Sequence, residues 1–188
     1  MSLPETTRAP KTPRASRTVH RTPWMTVRED DFVRADGVPG QFTVVTRADF
    51  VVVLCDTPEG LLMTEQYRYA AARWSLELPQ GGLEPGESAA QAALRELREE
   101  TGWHGGSAEI LVEGLYEAAD WATQRFAVVR VRGGRPGPAS PEPDEAIGAV
   151  RRVPRTRLAA HVLVSRVIDA ATLAALAVVS AKSAAGVS

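Results

Sequence analysis

The sequence predicts a single mixed α/β domain in which helices lie against a sheet, and three observations carry that prediction. Short runs of alternating or continuous apolar residues, separated by Gly and Pro turns, occupy residues 24–67. One strongly marked helix follows at 88–102, and an apolar-periodic stretch closes the chain. With 188 residues, 44% hydrophobic and 24% charged, the chain has enough material for a sizeable core in one domain. No window holds eighteen uninterrupted apolar residues, and the first twenty residues lack the apolar block of a secretory signal, so no membrane association is expected. The one cysteine, Cys55, excludes an intrachain disulfide and a cysteine-built zinc site, which makes the cytoplasm the expected compartment. The 22 Lys+Arg and 23 Asp+Glu give a net charge of -1, leaving no general attraction to nucleic acid.

The elements follow in order. Residues 1–22 carry Arg8, Lys11, Arg14, Arg17 and Arg21 against Glu5, with three prolines and almost no large apolar side chains. That composition predicts a disordered basic arm, with residues 23–188 as the folded domain. Runs at Met25–Arg28, Gln41–Val45 and Phe50–Leu54 read as strands, so an N-terminal strand-rich segment spans about 24–48. Gly37, Pro39-Gly40 and Pro58-Glu59-Gly60 mark the turns, and Leu61–Tyr67 returns as the second arm of a hairpin. Ser88 opens a helix, with Gln91 three residues on as a capping box and Gly102 placed to end it. Ala90, Ala93, Leu94, Leu97 and Thr101 fall on one stripe and predict the core-facing side. Strands are expected at Ile110–Val112 and Phe126–Val131, a Gly/Pro loop at 133–143, and a C-terminal helix or pair of helices over 157–182.

The chemistry concentrates in the first helix and the loop before it. At 100° per residue, Glu96, Glu99 and Glu100 share a face about 110° from the centre of the apolar stripe. Carboxylates spaced i, i+3 and i+4 repel, and Arg95 and Arg98 compensate only in part. Hard divalent cations would remove the repulsion, and oxygen ligands beside a glycine-rich loop suit Mg2+ with a phosphate ester or anhydride as substrate. The alternative at this point is a solvent-facing helix whose glutamates pair with neighbouring arginines. His20, His104 and His161 show no ligand spacing, Cys55 reads as a buried small hydrophobe, and Trp24 and Phe42 as base-stacking or packing residues.

Gly81, five residues, Glu87, seven residues, then Arg95-Glu96-Leu97-x-Glu99-Glu100-x-Gly102 and the bulky Trp103 match the signature of the Nudix hydrolases. The box therefore spans 81–103. The stretches Trp24–Asp30, Glu65–Tyr69, Leu76–Glu87 and Val167–Leu176 further resemble the ADP-ribose pyrophosphatase branch.

The resemblance implies an α/β/α sandwich around a mixed sheet. It implies a Mg2+-dependent pyrophosphatase, with Mn2+ as a substitute, that cleaves ADP-ribose or a related nucleoside diphosphate sugar, giving AMP and ribose 5-phosphate from ADP-ribose. GDP-mannose, a dinucleotide, or a non-catalytic nucleotide-binding role are the alternatives. Glu96 and Glu100 are the implied principal metal ligands, with Glu99 close by and the backbone carbonyl of Gln80 completing the set. Glu87 and Arg95 brace the loop against the helix, and Arg68 matches a position that contacts substrate. Gln124 stands where the branch places a glutamate base; a glutamine orients water but cannot take its proton, so the base is sought in Glu99, Glu145 or Asp120, with Glu99 preferred. The branch also implies a homodimer in which N-terminal strands of one subunit help complete the other's site.

Overall fold

The computed structural model describes residues 11–141 and 146–186, which form two compact units.

The first unit joins residues up to 48 with 118–124. Strands β1 (Lys11–Arg21), β2 (Thr26–Arg34) and β3 (Pro39–Thr46) form an antiparallel sheet in that order. Strand β1 corrects the expectation of a disordered arm, at least for residues 11–21; the remainder of that arm lies outside the described residues. The physical reason is cross-strand charge matching. Arg17 pairs with Glu29 and lies 3.7 Å from Asp31, while the Ser16 hydroxyl donates to Asp30 at 2.6 Å. Lys11 Nζ lies 4.4 Å from the Phe42 ring centroid and 5.0 Å from that of Phe32. The neighbouring strand thus supplies the acidic and aromatic partners that the arm's own composition lacks. Gly40 is required here, because a Cβ would come within 2.6 Å of the Phe32 ring.

The second unit holds residues 49–117 and those from 125 onward. Strands β4 (Phe50–Thr57), β5 (Gly60–Arg68), β8 (Ser107–Tyr116), β9 (Arg125–Arg132) and β10 (Ile147–Val153) run in the order β10-β5-β4-β9-β8. Two shorter strands, β6 (Arg73–Glu77) and β7 (Gln80–Gly82), pair with β5 and β4 respectively. The sheet is mixed: β4 runs parallel to β9, and the other pairings are antiparallel. Strand β4 is apolar from Phe50 to Cys55 because both of its faces are covered there. Val51 and Val53 pack with Ala92, Ala93 and Leu97 of helix α1 (Ala89–Thr101). Val52 and Leu54 point the other way, into a core with Ala171, Ala175 and Val179 of helix α3 (Ala170–Ala184). Helix α2 (Arg155–Leu163) lays Leu158 and Val162 against that same core. The expected α/β/α layering is present, and the C-terminal stretch resolves into two helices.

Candidate active site

Helix α1 begins with the expected capping box: Ser88 Oγ accepts from the Gln91 amide, and Gln91 Oε1 accepts from the Ser88 amide. It ends at Gly102, at φ 74°, whose amide donates to the Arg98 carbonyl. The buried face is rotated from the predicted stripe: it comprises Ala89, Ala92, Ala93, Glu96, Leu97 and Glu100, whereas Ala90, Leu94 and Thr101 are only half-buried. Two of the three glutamates therefore point inward, which rules out a merely solvated acidic face.

Each inward glutamate meets a shaped surface. The Glu96 carboxylate lies against the backbone at Gly81, where a Cβ would come 2.1 Å from its Cδ, so any larger residue there would push that carboxylate aside. Glu100 is 1% exposed; its Oε1 accepts from Gln66 Nε2 at 2.9 Å, and its Oε2 lies 3.5 Å from the Thr64 hydroxyl. The glycine loop itself is pinned on both sides: the Val53 amide of β4 donates to the Pro79 carbonyl, and the Leu83 amide donates to the carbonyl of Asp49, just before β4. The Leu78 amide donates to Thr172 Oγ1, tying the loop's entry to α3.

Arg95 is the hub. Its Nε and Nη2 grip the two Glu87 oxygens at 3.0 and 2.9 Å, Nη1 donates to Glu96 at 2.6 Å and Glu99 at 3.2 Å, and Nη2 also donates to the Gly82 carbonyl at 2.7 Å. Those five bonds match the five N–H groups a guanidinium owns. The hydrogen bond from Arg95, with its charge, holds the Glu87 carboxyl below the ordinary carboxylate range against the opposing effect of burial. The hydrogen bond that Arg95 donates to Glu87 raises Arg95 above its already high value.

One buried carboxylate beside these residues escaped the sequence reading. Glu77, fully buried, binds Arg68 through Nε at 3.0 Å to each oxygen and through Nη2, and accepts from Gln80 Nε2 at 2.8 Å. Its signal was available: a lone acid between Leu76 and Leu78 in an apolar strand needs a cationic partner. Burial alone would lower Arg68, but the hydrogen bond and charge of Glu77 outweigh it and raise the guanidinium.

Whether a hard cation suits this place is a question of donor chemistry. Glu77, Glu87, Glu96, Glu99 and Glu100 face three guanidiniums, those of Arg68, Arg95 and Arg98, so anionic oxygen is in excess. Among the described residues, Gln80 Oε1 is a buried acceptor with no hydrogen-bond donor. Both features fit a Mg2+-like ion. Among the described residues, no group of three acidic, His or Cys side chains is already gathered around one point, because Arg95 holds Glu87, Glu96 and Glu99 to itself.

Residues 45–171 match the profile of the NUDIX domain. The chain belongs to the Nudix family. Residues 12–45 match a second profile, the nucleoside diphosphate sugar hydrolase N-terminal domain, which covers most of β1–β3. Among curated relatives, the ADP-ribose pyrophosphatase of Bacillus subtilis (strain 168) is 39% identical over 75 residues, 39% of this chain and 40% of its own. The ADP-sugar pyrophosphatase of Mus musculus is 34% identical over 100 residues, 50% of this chain and 44% of its own. An RNA pyrophosphohydrolase of Sphingopyxis alaskensis is 51% identical over 41 residues, 22% of this chain and 26% of its own. The chain thus spans less than half the length of these relatives. A solved structure described as an ADP compounds hydrolase superposes with a TM-score of 0.83 at 22% identity, over 96% of this chain and 98% of that one, which shows a shared fold.

Of the residues expected in this Nudix site, the structure brings Glu87, Arg95, Glu96 and Glu99 into direct contact, with Glu100 on the same helix. Gln80 and Arg68 meet through Glu77. Gln124 and Asp120 belong to the first unit: Gln124 is buried there and donates to the Ala48 carbonyl at 2.6 Å, and Asp120 is exposed. Glu145 lies outside the described residues. No helix among the described residues is long and apolar enough to cross a membrane.

Proposed function

We propose that this Nudix domain hydrolyses the diphosphate of ADP-ribose or a related nucleoside diphosphate sugar, using Mg2+ with Mn2+ as a substitute. The observation that carries the substrate class is the match of residues 12–45 to the nucleoside diphosphate sugar hydrolase N-terminal domain. An RNA pyrophosphohydrolase also matches part of this chain, so likeness to Nudix proteins by itself does not select a sugar nucleotide. The names of the Bacillus and mouse relatives agree with that class.

Glu96, Glu100 and Glu99, with the backbone carbonyl of Gln80, would hold the ion. When bound, such an ion neutralises the diphosphate and acidifies a water for attack on phosphorus. The remaining work falls to the chain. Arg95, anchored by Glu87, fixes the orientation of Glu96 and Glu99 before substrate arrives. Arg68, oriented by Glu77 and 40% exposed in its side chain, presents the rest of its guanidinium to a phosphate oxygen. Glu99, more accessible than Glu87 and Glu96 among the carboxylates that Arg95 hydrogen-bonds, takes the water's proton. Water's oxygen joins one phosphorus as the bridging P–O bond breaks, so ADP-ribose yields AMP and ribose 5-phosphate.

A cytoplasmic homodimer completes the reading. Support comes from β1, exposed along its whole length as a sheet edge with Val19 on it at 48% exposure, and from Trp24 at 73% in the turn that follows. A single-subunit mass in light scattering would sink the dimer. Hydrolysis is tested with Mg2+ over ADP-ribose, other nucleoside diphosphate sugars, dinucleotides and capped RNA, with Glu100→Gln as control. Preferred turnover of ADP-ribose that Glu100→Gln abolishes is expected; preference for RNA, or turnover indifferent to Glu100, overturns the proposal.

A further inference from the structure

Along β5, Thr64 and Gln66 reach Glu100, so strand alternation sends Met63, Glu65 and Tyr67 to the opposite face of the sheet. On that face two adjoining cavities of about 460 and 490 Å³ share Glu65, Leu76, Arg151 and Arg166 in their walls. Arg73 of β6, Arg151 of β10, Arg157 of α2 and Arg166 in the loop before α3 line them with their charges, whereas Arg152 of β10, also in the wall, lays its guanidinium over the Trp103 ring at 5.9 Å. Among the described residues, Glu65 is the one carboxylate in the lining.

That carboxylate is already shared, accepting from Arg151 at 3.1 Å and Arg166 at 2.7 Å, and both arginines hold it below the usual carboxylate range. Arg73 places one N–H on the Ser165 carbonyl at 2.6 Å, and Arg157 forms no ion pair among the described residues. Concave like charge of this density needs an anion, and guanidinium forks match phosphate oxygens. Trp74, at one end, is 52% exposed; its ring stands edge-on to Tyr67 at 5.6 Å and lies over Gly148, where a Cβ would come within 2.7 Å. A fixed, half-open indole beside arginines is the pairing that holds a nucleobase next to its phosphates.

We propose that this groove is a second site, on the face away from the box, that binds a nucleoside diphosphate without hydrolysing it. The combined size suits a ligand of that class. It stands independently of the substrate assigned to the box.

The test is titration of the full chain with ADP in EDTA, followed by calorimetry and tryptophan fluorescence. Saturable binding is expected in wild type and equally in Glu100→Gln. It should weaken by at least about tenfold in Arg151→Ala/Arg157→Ala, since each charge-assisted bond is worth that order. Arg157→Ala alone, at an exposed and unpaired position, should weaken it about threefold or more and keeps the test valid if the double variant misfolds. Trp74→Phe should remove most of the fluorescence change. Binding lost in Glu100→Gln but intact in the arginine variants would place ADP at the box and overturn the proposal. So would no saturation by about 5 mM ADP, binding of oligonucleotide in preference to ADP, or a fall in subunit count on Arg151→Ala/Arg157→Ala, which would make the groove a subunit contact.

Discussion

Replacing Arg95 with alanine removes five hydrogen bonds and leaves Glu87, Glu96 and Glu99 facing one another with side-chain exposures of 13, 7 and 23%. Truncating one partner of a fully buried ion pair costs about 3–5 kcal/mol. With Arg95 itself 18% exposed, and the carboxylates able to turn partly to water, about 2–3 kcal/mol is expected. For a domain of this length that lowers Tm by roughly 4–12 °C. Arg95→Lys, with three donors in place of five, should fall between wild type and alanine. The carboxylates that Arg95 releases are the proposed ion ligands, so added Mg2+ should raise the Tm of Arg95→Ala more than that of wild type. The pH dependence has a definite sign. Glu87 is depressed in the folded state, so its contribution is present above the unfolded value of 4.5 and is lost as pH falls below that value. Arg95→Ala should therefore narrow its stability deficit in acid. Thermal melting by circular dichroism at pH 7 and pH 4 reads all of this. A Tm within 2 °C of wild type at pH 7, or a deficit that widens in acid, would refute the reasoning.

Gly81→Ala places a methyl 2.1 Å from the Glu96 carboxyl carbon, so hydrolysis should fall by about a hundredfold or more while the melting temperature moves little, since a side-chain end can shift where a backbone cannot. Leu97→Ala, at a position with no exposed surface between α1 and β4, should cost about 3–5 kcal/mol in urea unfolding; a loss below about 1 kcal/mol would mean the helix is not packed as described. The Cys55 thiol is pushed up to about 12 by burial, then by Asp56, so iodoacetamide at pH 8 should leave the native protein unmodified and alkylate it only on unfolding. Because that folded value lies above the unfolded one, stability should decline as pH rises past about 9, which a pH series of denaturation midpoints will register.

The box was legible because its information is local. Capping, the helix stop and the Arg95 brace all involve residues within about two turns of one another or joined by a short loop. The inward rotation of Glu96 and Glu100 was not legible, since it depends on Gly81, Thr64 and Gln66 supplying a polar floor that an apolar-stripe argument treats as absent. Strand β1 was missed for the same kind of reason. Its stabilising partners, Glu29 to Asp31 and the two phenylalanines, sit on other strands, and composition over residues 1–22 contains none of them. Strand β6 was passed over because it is short and charged on one face, while its pairing with β5 is decided across the sheet. Glu77 shows the opposite case, a buried acid whose apolar neighbours announced it and whose partner Arg68 had already been singled out for another role.

The parallel pairing of β4 with β9 joins residues 50–55 to 126–131. On the ribosome, the β4–β5 hairpin and the acidic helix emerge well before β9, so the nascent helix faces a floor that lacks Ala127, Val129 and Val131. Loop closure over that separation is slow compared with hairpin formation, and it delays the last wall of the helix's seat. The geometry that holds Glu96 and Glu100 is therefore acquired late in synthesis, and a chain released before β9 would carry the whole signature without the pocket that gives it chemistry.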